Sequence, residues 1–230
     1  MANKLSHLLE LGRTIVKLPV ARLDFRRDLN PADVARMHRH CTKRHPRYLV
    51  FQNKSLGAAL VDLSRFPGRD DYLGALSGNA AVVLARKATK KGYQIREIDR
   101  NSYVDPIHEI NNSETVRQGR PMDPAYREKV MHFANEKNYL YVGVLNPAGK
   151  LVSYMNLGLY GNFAAIDRLI GLRNNDGVMH MLVTEMVARL IEERHVRYLM
   201  YDTCFGASPG LLQFKTMLGF TPYRAKFTIQ

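Results

Sequence analysis

The chain has 230 residues, 46% of them hydrophobic and 24% charged, enough apolar material for one sizeable core, so disorder is not the default reading. Its formal charge of +13 calls for an anionic partner: nucleic acid, a membrane surface or a phosphorylated substrate. Cys41 and Cys204, with no Cys-x-x-Cys and no zinc-type His/Cys spacing, exclude a disulfide scaffold and a zinc module; they imply a reducing, cytoplasmic setting, with no metal expected.

In chain order, residues 1–20 read as an amphipathic helix packed on the domain, with Leu5, Leu8, Leu9, Leu11, Ile15 and Val16 as its apolar positions. His7, Glu10 and Arg13 interrupt any secretory run, and no stretch reaches the roughly 20 apolar residues of a membrane span. Residues 13–54 hold eleven Lys or Arg against three acids, with His38, His40 and His45 added. Asn30 as N-cap and Pro31 at the first helical position open a helix ending near Lys43, and Arg47 to Gln52 reads as a short strand. Residues 77–91, opened by Ser77 and closed by Gly92, form a basic helix carrying Arg86, Lys87, Lys90 and Lys91; a strand, Tyr93 to Ile98, follows. Asp105 to Asn111 and Pro124 to Asn138 read as helices on either side of a polar loop, residues 113–123.

The pattern then becomes regular. Tyr139 to Leu145 and Lys150 to Tyr160 form a hairpin around Asn146–Gly149, and Ala164 to Leu172 is a third strand. Asp176 is expected to cap a helix running to about Arg194; Val196 to Tyr201 is a buried-type strand, Pro209 to Leu218 a helix stopped by Gly219, and Pro222 to Ile229 a last strand. This order predicts an α/β fold, a central mixed sheet flanked by helices in which a crossover helix joins two parallel strands. The ligand crevice belongs where those strands end, at Leu172 and Tyr201. Residues 1–76 are read as a basic N-terminal region, part of or packed on the domain formed by residues 77–230.

The hairpin, the long helix after Leu172 and the segment Phe214-Lys-Thr-Met-Leu-Gly-Phe220 before a strand resemble the GNAT acyltransferase superfamily over residues 93–229. Within it the chain is similar to the Fem-type branch, whose members form amides from aminoacyl-tRNA. The basic helix ending Arg86-Lys-Ala-Thr-Lys-Lys-Gly92 resembles the entry into a Fem-type domain, and Phe214-Lys215 resembles the pair set against the aminoacyl end of the tRNA. Acetyl-CoA-dependent relatives cradle the pyrophosphate on backbone N–H groups of a Gly-rich loop at a helix N-terminus. Here the loop Arg173-Asn-Asn-Asp-Gly-Val-Met179 keeps only Gly177, followed by bulky Val178 and Met179, and a capping Asp176 would occupy the N–H groups and repel phosphate.

The resemblance implies an aminoacyl-tRNA-dependent transferase acting on a small-molecule amine or peptide, with tRNA as partner and no bound cofactor. Single-domain forms of this kind, the pacidamycin-type alanyl-tRNA transferases, serve antibiotic biosynthesis. An acyl-CoA-dependent N-acyltransferase, with Arg173 as compensating anchor, is the alternative; a non-catalytic RNA-binding protein on the same scaffold is the second. Arg44, Arg47, Arg86, Lys87, Lys90 and Lys91 are the candidate tRNA contacts.

An aminoacyl ester is already activated, so its attack by an amine needs orientation, removal of a proton and a stabilised oxyanion. By resemblance, Lys215 stands near the ester carbonyl and Phe214 packs on the terminal adenosine; the competing readings are a solvated lysine on the helix face and a core phenylalanine. Asp202 and Thr203, at a strand end, are candidates to hold the amine or accept its proton, with turn formation as the competing reading. Cys204 has no histidine placed to activate it. Glu109, Asn111, Asn112, Arg117 and Arg120 surround the polar loop as acceptor contacts, the two arginines as forks for a carboxylate or phosphate. Tyr154 and Asn156 lie on a strand that should face the crevice; His108, His180 and His195 show no ligand spacing and read as surface or core histidines.

Overall fold

The computed structural model describes residues 16–46, 51–117, 120–122 and 124–230. Runs of apolar residues broken by turn-formers build one eight-stranded mixed sheet. Its strands are β1 (Val20–Phe25), β2 (Leu56–Asp62), β3 (Gln94–Glu97), β6 (Tyr139–Leu145), β7 (Leu151–Leu159), β8 (Phe163–Gly171), β9 (Tyr198–Thr203) and β10 (Thr221–Ile229), in the spatial order β1-β10-β2-β9-β8-β7-β6-β3. A separate two-residue ladder pairs β4 (Val116–Arg117) with β5 (Arg120–Pro121). β1 with β10 and β8 with β9 are parallel, and the remaining pairs in the sheet are antiparallel.

Helices cover both faces. On one side α2 (Arg69–Ala75), α3 (Ala80–Lys90) and α5 (Val178–Glu193) pack Tyr72, Ala81, Ala88, Leu182, Met186 and Leu190 against Val142, Leu157, Ile166 and Leu199 of the sheet. On the other, α1 (Pro31–Thr42) buries Val34, Met37 and Cys41 against Phe25 and Phe163, while α4 (Val104–Asn112) buries Ile107 and Ile110 against Tyr154 and Ile170. Each large apolar side chain removed from water this way contributes about 1.5–3 kcal/mol. Coverage of both faces explains why β7 is buried along nearly its whole length instead of alternating. α6 (Pro209–Met217) precedes β10, with Ser208 as its N-cap.

The helix over residues 31–42 starts as expected, the Asn30 side chain accepting from Asp33 N. α3 starts later than expected, at Asn79 rather than Ser77, because the Asn79 side chain accepts from Ala81 N at 2.8 Å. The expected helix from Pro124 to Asn138 is corrected: only Pro124–Tyr126 forms a single 3-10 turn. Side chains from residues 100 and 101 take the backbone groups a helix would need. Asn101 accepts from Phe133 N at 2.8 Å and donates to Phe133 O at 3.1 Å, and Arg100 donates to Ala134 O at 2.5 Å. Of the expected N-terminal helix, residues 1–15 lie outside the described residues, and Val20 already belongs to β1. Residues 47–50 of the expected Arg47–Gln52 strand also lie outside them; Gln52 forms an isolated bridge with Arg44. Among the described residues no helix is long and apolar enough to cross a membrane.

β7 and β8 fall out of step by one residue. Asn156 of β7 faces Arg168 of β8, yet Leu157 faces Ile166, so β8 carries one extra residue, a bulge at Asp167.

Candidate active site

β8 and β9 pair only over Phe163–Ala165 and Tyr198–Met200, after which they part. Parallel strands that diverge at their carboxyl ends leave a crevice between the loops that follow. Here it is a cavity of about 720 Å³ walled by Leu169 of β8, Leu172 just after it, Arg173, Asn174, Asn175 and Gly177 of the loop that follows, the first turn of α5, Tyr201 of β9, and Gly210, Leu211 and Phe214 of α6. Leu84 of α3, Glu114 of the loop after α4 and Val116 of β4 complete the wall. Its size suits a small-molecule substrate or the end of a larger one.

Contrary to expectation, Asp176 does not cap α5. Its carboxylate is held by Lys91 and by the hydroxyl of Tyr93, the latter at 2.8 Å, and these partners keep it well below the usual carboxylate range. Gly177 occupies the N-cap position at φ +84°, with no side-chain cap, and a Cβ there would stand 2.2 Å from Leu84 O. Only glycine fits both the left-handed backbone and this approach of α3. The first-turn N–H groups of α5 therefore open on the cavity without a capping side chain. Lys87 ties α3 to the same loop, donating to Asn175 O at 2.7 Å.

The expected site residues fall into three groups. Phe214 and Arg173 line the cavity. Lys215, wholly buried, is not among its lining residues: its ammonium donates to Thr203 O at 2.8 Å and lies 4.6 Å from the ring centre of Tyr201, which does line it. Desolvation pushes the Lys215 pKa down, and burial pushes Tyr201 up to about 12. Asp202, at φ +54°, is ion-paired with Lys54, and Thr203 donates to Phe205 O at 3.0 Å.

The second group surrounds α4. Glu109 pairs with Lys150 at 2.7 Å, Asn111 is buried and accepts from Tyr154 OH at 2.7 Å, and Asn112 donates to His108 O and Tyr126 O. Arg117 faces Arg120 in the β4–β5 ladder. Asn156 lines a different cavity, over β6, β7 and β8. The third group is the basic one: Arg86, Lys87, Lys90 and Lys91 are exposed along and just after α3, Arg44 is exposed beyond α1, and Arg47 lies outside the described residues.

The sequence had His180 as a surface or satisfied core histidine. It lines the cavity one turn into α5, packs edge-on against Phe214 at 4.9 Å between ring centres, and its Nε2 is buried without a hydrogen-bond partner. Burial lowers its pKa, so the imidazole is neutral near pH 7. Its position just after a strand-to-helix loop was the only local signal.

The sequence matches no protein-family model and no curated protein. Among solved structures, FemX aligns over 73% of this chain and 59% of its own at 12% identity, with a TM-score of 0.54. L-PGS from Bacillus licheniformis aligns over 73% and 59% at 15% identity (TM-score 0.48), and a tandem GNAT protein from the clavulanic acid biosynthesis pathway over 84% and 55% at 19% (TM-score 0.46). The fold is GNAT-like. The chain spans less than two thirds of the length of these structures. In this GNAT-like frame, the cavity lies at the parting of the two central parallel strands.

Lys215 provides a test of the site's electrostatics. A lysine whose pKa is lower folded than unfolded binds fewer protons when folded, so its burial costs stability at neutral pH and the cost falls as pH rises toward about 10.4. Lys215→Met should therefore match or exceed the wild type in urea-unfolding free energy at pH 7, and that advantage should shrink as pH rises through the lowered folded value toward about 10.4. A pH-independent difference would show that the ammonium carries no burial penalty.

Proposed function

We propose that the chain is an acyltransferase that forms an amide between an amino acid carried on tRNA and the amine of a small molecule or peptide. One observation carries the choice of donor. The basic helix α3 is fastened to the rim of the cavity, Lys87 to Asn175 O and Lys91 to Asp176, so a run of exposed cations leads to the crevice. A polyanion bound along that helix would bring its acylated end to the cavity. The basic stretch near Arg44 extends the charge available to such a donor.

The chemistry follows from the wall. The amine nitrogen attacks the ester carbonyl carbon, the carbonyl oxygen takes the developing charge, and the C–O bond to the ribose breaks with the proton returned to that oxygen. Neutral His180 accepts the amine's proton and later delivers it to the leaving hydroxyl. The uncapped first turn of α5 offers N–H groups for the oxyanion. Phe214 fixes the imidazole by its edge contact and presents an aromatic surface to the terminal base. Lys215 is a positioning residue: through Thr203 O and the ring of Tyr201 it holds the end of β9 against the cavity.

The same uncapped helix end, with Arg173 beside it, favours a second reading in which the donor is an acyl-CoA and its diphosphate sits on α5. Incubation with a candidate amine and either charged tRNA or acetyl-CoA separates the two, since product lost after RNase treatment belongs to the tRNA donor alone. On the first reading, Arg86→Glu combined with Lys90→Glu, which leaves the Lys87 and Lys91 ties to the rim in place, should weaken tRNA binding by about tenfold or more and flatten the log–log salt dependence by about one unit for each phosphate no longer neutralised. Turnover with acetyl-CoA, insensitive to these substitutions, would establish the second reading.

A further inference from the structure

A second cavity of about 220 Å³ lies over β6, β7 and β8, between α1 and the irregular chain at residues 134–136, and shares no lining residue with the first. The β8 bulge sets it up. Residues before the bulge alternate so that Phe163 and Ala165 face α1, and after it Ile170 faces α4, on the same side of the sheet. The extra residue, Asp167, is thereby an exposed carboxylate at the cavity wall, and among the described residues it has no ion-pair partner.

Directly across the sheet from this bulge, Asn156 is 5% exposed and lines the cavity, and its Oδ1 has no hydrogen-bond partner. A buried carbonyl oxygen left without a donor costs about 1–3 kcal/mol, so the site is built for a donor to arrive. Glu136 supplies a third acceptor: Oε2 takes one hydrogen bond from Asn30 at 2.7 Å. The other acid at the wall, Asp33, is already committed, Oδ1 to Arg36 and Oδ2 to Asn138 Nδ2. Arg36 is correspondingly neutralised. Arg100, the other cation at the wall, feels the charge of Glu136 but has no acid within ion-pair distance among the described residues; its guanidinium is laid over Tyr141 at 3.8 Å and braced by Asn135 and Ala134.

We propose that this cavity binds an α-amino-acid-type ligand, its primary ammonium donating to Asn156 Oδ1, Asp167 and Glu136 and its carboxylate meeting Arg100. A primary ammonium has three N–H donors, and the wall offers three acceptors for them. Tyr139 and Tyr141, stacked on each other at 5.7 Å, form the aromatic part of the wall. Binding here is independent of which donor, if any, the first cavity uses.

NMR titration of the full chain with L-alanine, L-alaninamide and N-acetyl-L-alanine tests it, with no acyl donor present. L-alanine should shift the Asn156 and Asp167 amide resonances with millimolar affinity; the alaninamide, lacking the carboxylate, should bind about tenfold more weakly, and the N-acetyl compound should not bind. Asp167→Asn, an exposed change that leaves the core intact, should weaken L-alanine by about tenfold, and Asn156→Leu should abolish its binding. The proposal is overturned if L-alanine leaves those resonances unmoved up to about 100 mM, far above the millimolar range of small-ligand sites. Equal binding of the N-acetyl compound, or wild-type affinity in Asp167→Asn, would overturn it as well.

Discussion

Replacing His180 with glutamine should slow amide formation by about 10²–10⁴-fold while leaving tRNA binding within about twofold of the wild type. His180 lines the cavity and its Nε2 is buried without a hydrogen-bond partner, so no hydrogen bond of the fold depends on that nitrogen. Its pKa is lowered by burial, which keeps the base form populated at pH 7. The rate of the wild type should accordingly hold level down to about pH 6.5, the ordinary histidine value, and fall below it as the ring takes up a proton. In His180→Gln the residual rate should lack that acid limb. Stability gives the matching sign: with the folded pKa below the unfolded one, the unfolded chain gains its proton first, so the native state loses stability as pH falls from about 6.5 through the lowered value. A variant that keeps more than half the wild-type rate, with the same acid limb, would remove His180 from the mechanism.

Gly177→Ala should cost about 3–5 kcal/mol of unfolding free energy, toward the upper end for a single methyl group. Two penalties add at this position. The left-handed φ of +84° is unfavourable for any residue with a Cβ, and that atom would lie 2.2 Å from Leu84 O, so α3 must back away from the start of α5. Gly149, in the hairpin turn at φ +79°, has no heavy atom within 4 Å of the same notional Cβ. Gly149→Ala should therefore show the backbone strain alone, about 1–2 kcal/mol. Denaturant melts of the two variants separate the terms, and equal losses would mean that the packing against α3 is soft. Because Lys87 and Lys91 are fastened to the displaced loop, Gly177→Ala should also misalign the basic helix with the cavity.

The second half of the fold was legible because its signals are local. Strand β6 coincides with the expected Tyr139 to Leu145, and the turn, the crossover helix and the closing Leu-Gly-Phe fall where apolar runs and turn-formers put them. The first third was not, and the reason is visible in two strands. β2, Leu-Gly-Ala-Ala-Leu-Val-Asp, is buried on both faces and has no alternation to read. β1 does alternate in burial, but it continues a segment whose leucine spacing reads as helical, and its pairing partner is β10, distant in sequence. Residues 127–138 have helix-forming composition; Arg100 and Asn101, which hold them irregular, lie some thirty residues upstream.

The sites divide the same way. Phe214 was reached through a sequence motif, and Arg173 through the loop after a strand. His180 becomes chemically distinct only when packing seals its Nε2, and Asp167 only when the register of β8 against β7 makes it the extra residue. Asp176 had the right residue type for a cap; a lysine and a tyrosine from another element claimed its oxygens first.

The pairing of β1 with β10 also constrains how the chain acquires its shape. Asp24 and Thr228, hydrogen-bonded across that pair, are 204 residues apart, so this seam closes a loop of that length. Loop-closure entropy makes such pairings late, and on a ribosome adding residues from the amino end the strand near residue 20 must wait until β10 has emerged. Until then its edge, and that of β2, stay open to other chains; nascent or carboxyl-truncated forms should be the species that chaperones bind and that aggregate.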